Sequence, residues 1–352
     1  MQRYLINEVL ICTVTKMDIV DVLRDMAMVP GVSGFEEPFR RYLLEKLKAH
    51  NPFVDDIGNV YVKIGKGSKK IAFMAHMDEI GLVITHIEDN GYLRFAHLGG
   101  IDDRMLYGRI VEIFTPSGIV YGVIGLIPPH LSTNEDRSKI PTWKDLVIDV
   151  GAQSKEEVLN MGIREMQPAR WKKDFIETNN YVITRAIDDR VGCAILFEVL
   201  NEIANEELNS EIYFIWTVQE ETGLRGAHAA IENMKFDEVY AIDTMTTGMM
   251  PGVAFHLSTA KIGSGPAIRL VDRKGVASQR LREKVKKIAE ENGIPIQEAI
   301  TGGTTDSAIV QDHGVNSIAL CVPVKYTHSP VEMANIDDIK NTVKLIKSII
   351  NS

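Results

Sequence analysis

The sequence predicts an α/β fold: a mixed sheet with helices on both faces, interrupted by a small β-rich insertion. Strand-length apolar runs without alternation, such as Ile212-Tyr213-Phe214-Ile215-Trp216-Thr217-Val218, alternate with helical patterns in the second half, as in sheets covered on both sides. Between about residues 80 and 170 the texture changes to short β-branched runs separated by Gly, Pro and Asn-Gly turns. The simplest organisation is one α/β domain built from residues 1–78 and 176–352, with a β-rich unit, 79–175, inserted into it.

Taken in order, Ile19-Val20-Val22-Leu23-Met26 form an amphipathic helical pattern that ends at Pro30-Gly31-Val32-Ser33-Gly34. Residues 1–16 are expected to be an N-terminal extension ahead of a domain starting at Met17. Ser33, with Glu36 three residues on, reads as a capping box opening a helix to about Ala49. Residues 59–64 and 70–75 read as strands joined through the Gly-Lys-Gly-Ser turn at 65–68, and residues 81–85, 108–114 and 120–124 as strands of the insertion. Beyond residue 180 the pattern predicts helices over 191–203, 223–234, 277–292 and 336–350. The intervening apolar runs at 212–218, 239–242 and 317–322 are strands.

Composition narrows the function classes. Of 352 residues, 45% are hydrophobic and 25% charged, and 39 Lys plus Arg against 48 Asp plus Glu give a net charge of −9. An acidic chain argues against nucleic acid and anionic membranes as partners, because both need basic patches. No apolar run approaches the roughly 20 residues that span a bilayer. The apolar stretch at 9–14 follows acidic Glu8 and a single basic residue, Arg3, unlike a secretory signal. Cys12, Cys193 and Cys321 are odd in number and lack metal spacing, which suits reduced core residues and a cytoplasmic location.

The chemistry lies where strands end. Open α/β sheets bind ligands beyond the carboxyl ends of their strands. There the sequence places His76 and Asp78, Glu220 and Glu221, Asp243, and His328, with Asp188-Asp189 just before a helix. A single acid at a turn is ordinarily a cap or a solvated residue. Several brought to one edge without a counter-ion would cost stability, and a cation removes that cost. Imidazole with carboxylate suits zinc or another divalent transition metal better than calcium or magnesium. Two histidines and three carboxylates are economically shared between two metals with one bridging carboxylate.

These segments also carry a resemblance. Ala75-His76-Met77-Asp78-Glu79-Ile80-Gly81, Ala186-Ile187-Asp188-Asp189-Arg190-Val191-Gly192, Gln219-Glu220-Glu221-Thr222-Gly223-Leu224-Arg225-Gly226-Ala227, Ala241-Ile242-Asp243-Thr244 and Tyr326-Thr327-His328-Ser329-Pro330 stand in order. With them, the chain from about Met17 to its end resembles the TET or deblocking aminopeptidases. These are dizinc exopeptidases, some of which carry older labels as glutamyl aminopeptidases or endoglucanases. The resemblance implies one zinc (or cobalt) on His76 and Asp243, a second on Glu221 and His328, and Asp188 bridging. It implies Glu220 as the general base that deprotonates the attacking water, Asp78 as the carboxylate orienting His76, and a cis Asp188–Asp189 peptide bond. It further implies peptide substrates, and an insertion that dimerises the chain within a tetrahedral dodecamer. Thr301-Gly302-Gly303-Thr304-Thr305-Asp306 resembles a loop near the family's site, here with a doubled threonine. Met245, Met249 and Met250 are expected in packing more than in a pocket, and Trp143 and Trp171 in packing. His86, His97, His130, His256 and His313 carry no motif.

Three other readings compete. A deacylase or deacetylase of amino-acid conjugates would use the same dimetal chemistry. A glycosidase needs two metal-free carboxylates, which the accompanying histidines disfavour. A non-catalytic metal scaffold would have no use for a free base at Glu220.

Overall fold

Residues 18–352 are described here, from a computed structural model of the chain. The expectations for the segment 1–16 and for Cys12 lie outside them. The first helix, Ile19–Met28, begins where Asp18 accepts from the Val20 N–H, and it buries the apolar stripe read from the sequence. Its partner, Glu37–Leu47, differs from expectation. Ser33 does not cap it; the helix starts at Glu37 with Pro38 in its first turn. The Glu36 carboxylate that a capping box would use instead accepts from Gly34 N (2.7 Å) and Gln219 N (3.2 Å), so it serves the site loop.

An eleven-stranded mixed sheet forms the centre of the fold. Four strands at its heart, Glu211–Thr217, Lys70–His76, Glu238–Thr246 and Ser317–Lys325, run parallel to one another, in that spatial order. They therefore deliver their carboxyl ends to one edge. Alternate residues on a strand face opposite sides, and both sides are covered. Ile71, Phe73, Ala75, Ile212, Phe214 and Trp216 join the apolar core under helices Ile19–Met28, Ile187–Ile203, Gln279–Glu291 and Ile336–Ile350. Ala72, Met74, Tyr213 and Ile215 join a second core under helices Arg225–Asn233 and Asp306–Asp312. This is why those strands read as continuous apolar runs. Short strands such as Tyr181–Thr184, Ala267–Val271, Gln297–Ile300 and Glu332–Asn335 complete the sheet. They lacked a strand signal because few of their residues meet either core.

A separate antiparallel sheet follows the order Leu93–Leu98, Gly81–Ile87, Pro168–Trp171, Arg109–Thr115, Gly118–Ile124. It has its own apolar core, which includes Trp171, with Trp143 packed against it. No helix among the described residues is long and apolar enough to cross a membrane.

Where the chain passes from the large sheet to the small one, Glu79 is fully buried among four cations. Arg170 Nη1 lies 2.9 Å and Arg190 Nη2 3.6 Å from Oε1; Lys173 Nζ lies 2.8 Å and Arg185 Nη1 3.0 Å from Oε2. Oε1 also accepts from Gly31 N. Burial alone would raise the Glu79 pKa. Lys173, Arg185, Arg170 and Arg190 override it and hold the carboxyl well below the usual range. Arg170 reaches on to Glu112 of the small sheet (2.9 Å), and Arg190 lies 3.6 Å over the Phe39 ring. Removing one member of a buried ion cluster costs about 3–5 kcal/mol. Glu79→Gln should therefore lower the unfolding free energy measured in urea by an amount of that order; a loss within experimental scatter would refute the cluster's structural role. Because the folded pKa is depressed, the ionised Glu79 contributes its full stability above about pH 4.3, the ordinary glutamate value. That contribution is lost as pH falls through the lower folded pKa, and this part of the acid dependence should vanish in the variant.

Candidate active site

The carboxyl ends of the four parallel strands open into a cavity of about 750 Å3. His76, Asp188, Glu220, Glu221, Asp243 and His328 all line it, so residues drawn from five parts of the chain meet in one place. His76 ends its strand opposite Thr217 of the neighbouring one, and Asp243 lies inside its strand opposite Cys321. Asp188 and Asp189 interrupt the start of helix Ile187–Ile203 with non-helical backbone, and the peptide bond between them is cis.

The orientation of the two imidazoles is set from behind. His76 Nδ1 donates to the Asp78 carbonyl oxygen (3.2 Å), and His328 Nδ1 donates to the Gly100 carbonyl oxygen (2.8 Å). A carbonyl can only accept, so each ring, when neutral, presents an unprotonated Nε2 to the cavity. Between them lies Asp188: His76 Nε2 is 3.3 Å from its Oδ1, and His328 Nε2 is 3.5 Å from its Oδ2 and 3.4 Å from Glu221 Oε1. A lone pair facing a carboxylate oxygen is repulsive unless a proton or a cation stands between.

The carboxylates show the same need. Burial, and then repulsion from Asp188, pushes Asp243 up to about 7; burial pushes Glu221 up to about 7 despite His328. Glu220 is raised by burial, with Glu221, Asp243 and Asp306 adding to it against His76. Asp188 is lowered, as is Asp78: burial opposes both, but the hydrogen bonds that protonated His328 and His76 would donate to Asp188, and His76 to Asp78, prevail. The Oδ1 of Asp188 nevertheless finds no good hydrogen-bond partner. Ligand atoms of His76, Glu220 and Glu221 lie within 4.8 Å of one another, as do those of Asp188, Glu221 and His328, and those of His76, Asp189 and Asp243. Two imidazole nitrogens and several oxygens form a donor set suited to borderline divalent metals. The residues fit a metal centre.

Around them stand carboxylates that join the ligand-bearing turns. Asp78 accepts from the backbone N–H of Glu220 (3.0 Å) and Glu221 (3.2 Å). Glu332 accepts from Asp188 N (3.1 Å) and His328 N (3.0 Å). Asp189 accepts from His76 N (3.2 Å) and Gly192 N (3.0 Å). From the sequence, Asp78 stands out for the His76 ring and Glu36 only for a capping box, while Asp189, Asp306 and Glu332 have no assigned role. Only a Glu four residues past His328 offered a signal for the last. Asp306, raised to about 6 by burial, accepts from Thr217 Oγ1 (2.6 Å) behind Glu220.

The Thr301–Thr304 segment lines the cavity, as does Met250, whereas Met245 is buried in a small core beside Cys321. Arg269, Arg273 and Lys274 form part of the wall. Arg269 Nη2 donates to Gly302 O (2.6 Å), with Nε 3.9 Å from Asp272, while neither Arg273 nor Lys274 makes an ion pair among the described residues.

Comparison with known proteins agrees with this geometry. Residues 58–345 match the M42 glutamyl aminopeptidase family. A putative aminopeptidase of Acetivibrio thermocellus is 38% identical, over 94% of this chain and 97% of its own. The lysyl aminopeptidase of Pyrococcus furiosus is 31% identical, over 94% and 96%. The TET1 peptidase of Pyrococcus horikoshii, which can assemble into a tetrahedron or a large octahedral shell, superposes with a TM-score of 0.89. It shares 43% identity over 95% of this chain and 99% of its own. Such likeness, spanning both sheets and every strand that feeds the cavity, places the chain in the M42 glutamyl aminopeptidase family, as an aminopeptidase of a metal-dependent group of peptide hydrolases.

Proposed function

We propose that the chain removes the N-terminal residue of short peptides with two divalent metal ions, zinc first and cobalt as a competent substitute. His76 and Asp243 would hold one ion, Glu221 and His328 the other, with Asp188 shared. The observation that carries this reading is the position of Asp188, with one oxygen towards the Nε2 of each histidine. When bound, the two ions would supply Lewis acidity for the scissile carbonyl and lower the pKa of the attacking water. Glu220 lies beside both ligand groups, with its Oε2 4.0 Å from His76 Nε2, and takes the water proton before passing it to the leaving amine. Asp78 holds the backbone of Glu220 and Glu221, so base and ligand keep a fixed separation. A deacylase reading gains no support from the relatives of Acetivibrio thermocellus and Pyrococcus furiosus, both named as aminopeptidases.

We also infer the larger organisation. Residues 1–78 and 176–352 would form the catalytic unit, and 79–175 an insertion that pairs two copies. Ile127, Leu131 and Ile140 of that insertion are mostly exposed, as a contact surface requires. Such dimers would assemble into a tetrahedral dodecamer with peptide access, in line with the tetrahedron of the TET1 peptidase. Cys193 and Cys321 are buried and unpaired, which favours the reducing cytoplasm.

The cationic wall supports an acidic N-terminal side chain: Arg273 and Lys274 line the cavity without an ion-pair partner among the described residues, together with Arg269.

Four experiments test these readings. Hydrolysis of aminoacyl chromogenic amides should cease on chelation and return with zinc or cobalt, while N-acetyl amino acids are left intact. Glu220→Gln should lower kcat by about 10²- to 10⁴-fold with metal content unchanged, and undiminished turnover would remove Glu220 from the reaction. Glu332→Gln keeps one accepting oxygen of two, and metal affinity in dialysis should fall about 10- to 100-fold, as for other residues that hold ligands in place; equal affinity would mean that Glu332 does not position Asp188 and His328. Reversing the wall charge with Arg273→Glu and Lys274→Glu together should cut kcat/KM for a glutamyl amide, relative to a leucyl one, by about tenfold, the worth of a charged hydrogen bond. A ratio that stays constant would place the acidic side chain elsewhere.

A further inference from the structure

We propose that His228, Glu232 and His313 form a second metal site, on the surface and apart from the catalytic cavity, for a divalent transition-metal ion. His228 and Glu232 lie four residues apart on helix Arg225–Asn233, hence on one face of it. His313 follows the last turn of the neighbouring helix, Asp306–Asp312. One ligand atom from each of the three comes within 4.8 Å of the others. His228 Nδ1 is 3.8 Å from Glu232 Oε2, and the two imidazoles meet edge to face with centroids 5.0 Å apart.

Three features separate this group from an ordinary cluster of polar surface residues. Two of its donors are imidazoles, which select borderline ions such as Zn2+, Ni2+ and Cu2+ over Ca2+ and Mg2+. No Lys or Arg forms an ion pair with Glu232 among the described residues, so its charge faces the two rings alone. Neither imidazole is committed to a carbonyl or hydroxyl partner among the described residues, in contrast to His76 and His328. The donors also come from two different helices, so a bound ion would cross-link them. Helix Arg225–Asn233 starts directly after the turn carrying Glu220 and Glu221, and helix Asp306–Asp312 directly after the Thr301–Thr304 segment of the cavity wall. The second ion would brace both walls from the outer side of the helix layer. With three protein donors and exposed positions, water would complete its coordination.

The test uses the intact protein with its catalytic centre first saturated with Zn2+, which is silent in electron paramagnetic resonance. One equivalent of Cu2+ per chain is then added. A Cu2+ signal with hyperfine coupling to two imidazole nitrogens is expected, together with a higher melting temperature. Copper affinity should fall at least about tenfold in His228→Ala and in His313→Ala, and both variants should keep wild-type peptidase activity. The variant Asp188→Ala, which by the reading above loses the catalytic ions, should retain the two-nitrogen signal, so failure of the active-site assignment would be seen separately. A signal of equal strength and affinity in the double variant His228→Ala/His313→Ala would overturn the site, as would the absence of any two-nitrogen signal in the wild type.

Discussion

The active site depends on a single device used repeatedly: a buried carboxylate that accepts two backbone N–H groups and so fixes two turns, or a turn and a strand end, to each other. Asp78 holds Glu220 and Glu221; Glu332 holds Asp188 and His328; Asp189 holds His76 to the start of its own helix; Glu36 holds Gly34 and Gln219. Hydrogen bonds to an ionised acceptor are roughly twice as strong as neutral ones. Loops that would otherwise move independently are thereby tied at the points from which the ligands project. The cost is more negative charge beside a site already rich in it, and burial pushes Glu332 up to about 8 and Glu36 to about 7. Cations in the cavity would offset that cost, so the ligands and the residues behind them favour the same occupant.

The small sheet takes part in this arrangement. Its Gly100 carbonyl sets the His328 ring, and a Cβ at residue 100 would come within 3.1 Å of His328 Nδ1. Gly99 has φ +87, and a Cβ there would meet Ile80 at 2.6 Å. Glycine is thus favoured at both positions where this part of the chain touches His328. The cluster around Glu79 performs the matching task on the other side of the junction. It couples Arg170 and Lys173, near the return from the small sheet, to Arg190, two residues from Asp188. A displacement of the small sheet would therefore be felt on both sides of the cavity.

Much of this was legible from residue types. Central strands announced themselves because both of their faces are buried, and the helix over Ile336–Ile350 because its apolar stripe is complete. His76, Glu220, Asp243 and His328 stand out because each comes at or after the end of an apolar run, a position that the parallel sheet turns into proximity, although the strand of Asp243 runs on to Thr246. Glu332 is all but silent in the sequence, and Asp189 and Asp306 stand in motifs without a role of their own, for a physical reason. They accept hydrogen bonds from groups distant in sequence, backbone N–H for Glu332 and Asp189 and the Thr217 hydroxyl for Asp306, and nothing in a local pattern distinguishes such an acid from a solvated one. The capping box at Ser33 misled in the same way. Its signature needs Glu36 to bond locally, and the fold offers that carboxylate a remote partner at Gln219.

Backbone strain follows the same geography. Seven non-glycine residues among those described have positive φ, and five of them, Ala186, Gln219, Leu224, Tyr326 and His328, flank or belong to the ligand turns. Left-handed backbone costs a non-glycine residue about 1 kcal/mol or more. Glycine would remove this cost, but only a side chain at 328 can ligate. Gln219 must turn the chain sharply after an apolar strand, so that Glu220 and Glu221 diverge into the cavity instead of continuing the pleat. The strain is held by the paired N–H contacts of Glu36, Asp78 and Glu332, which converge on those same turns. A site that demands close carboxylates and left-handed turns can persist only where the surrounding hydrogen bonds over-determine it, and here the bonds come from elements far away in sequence.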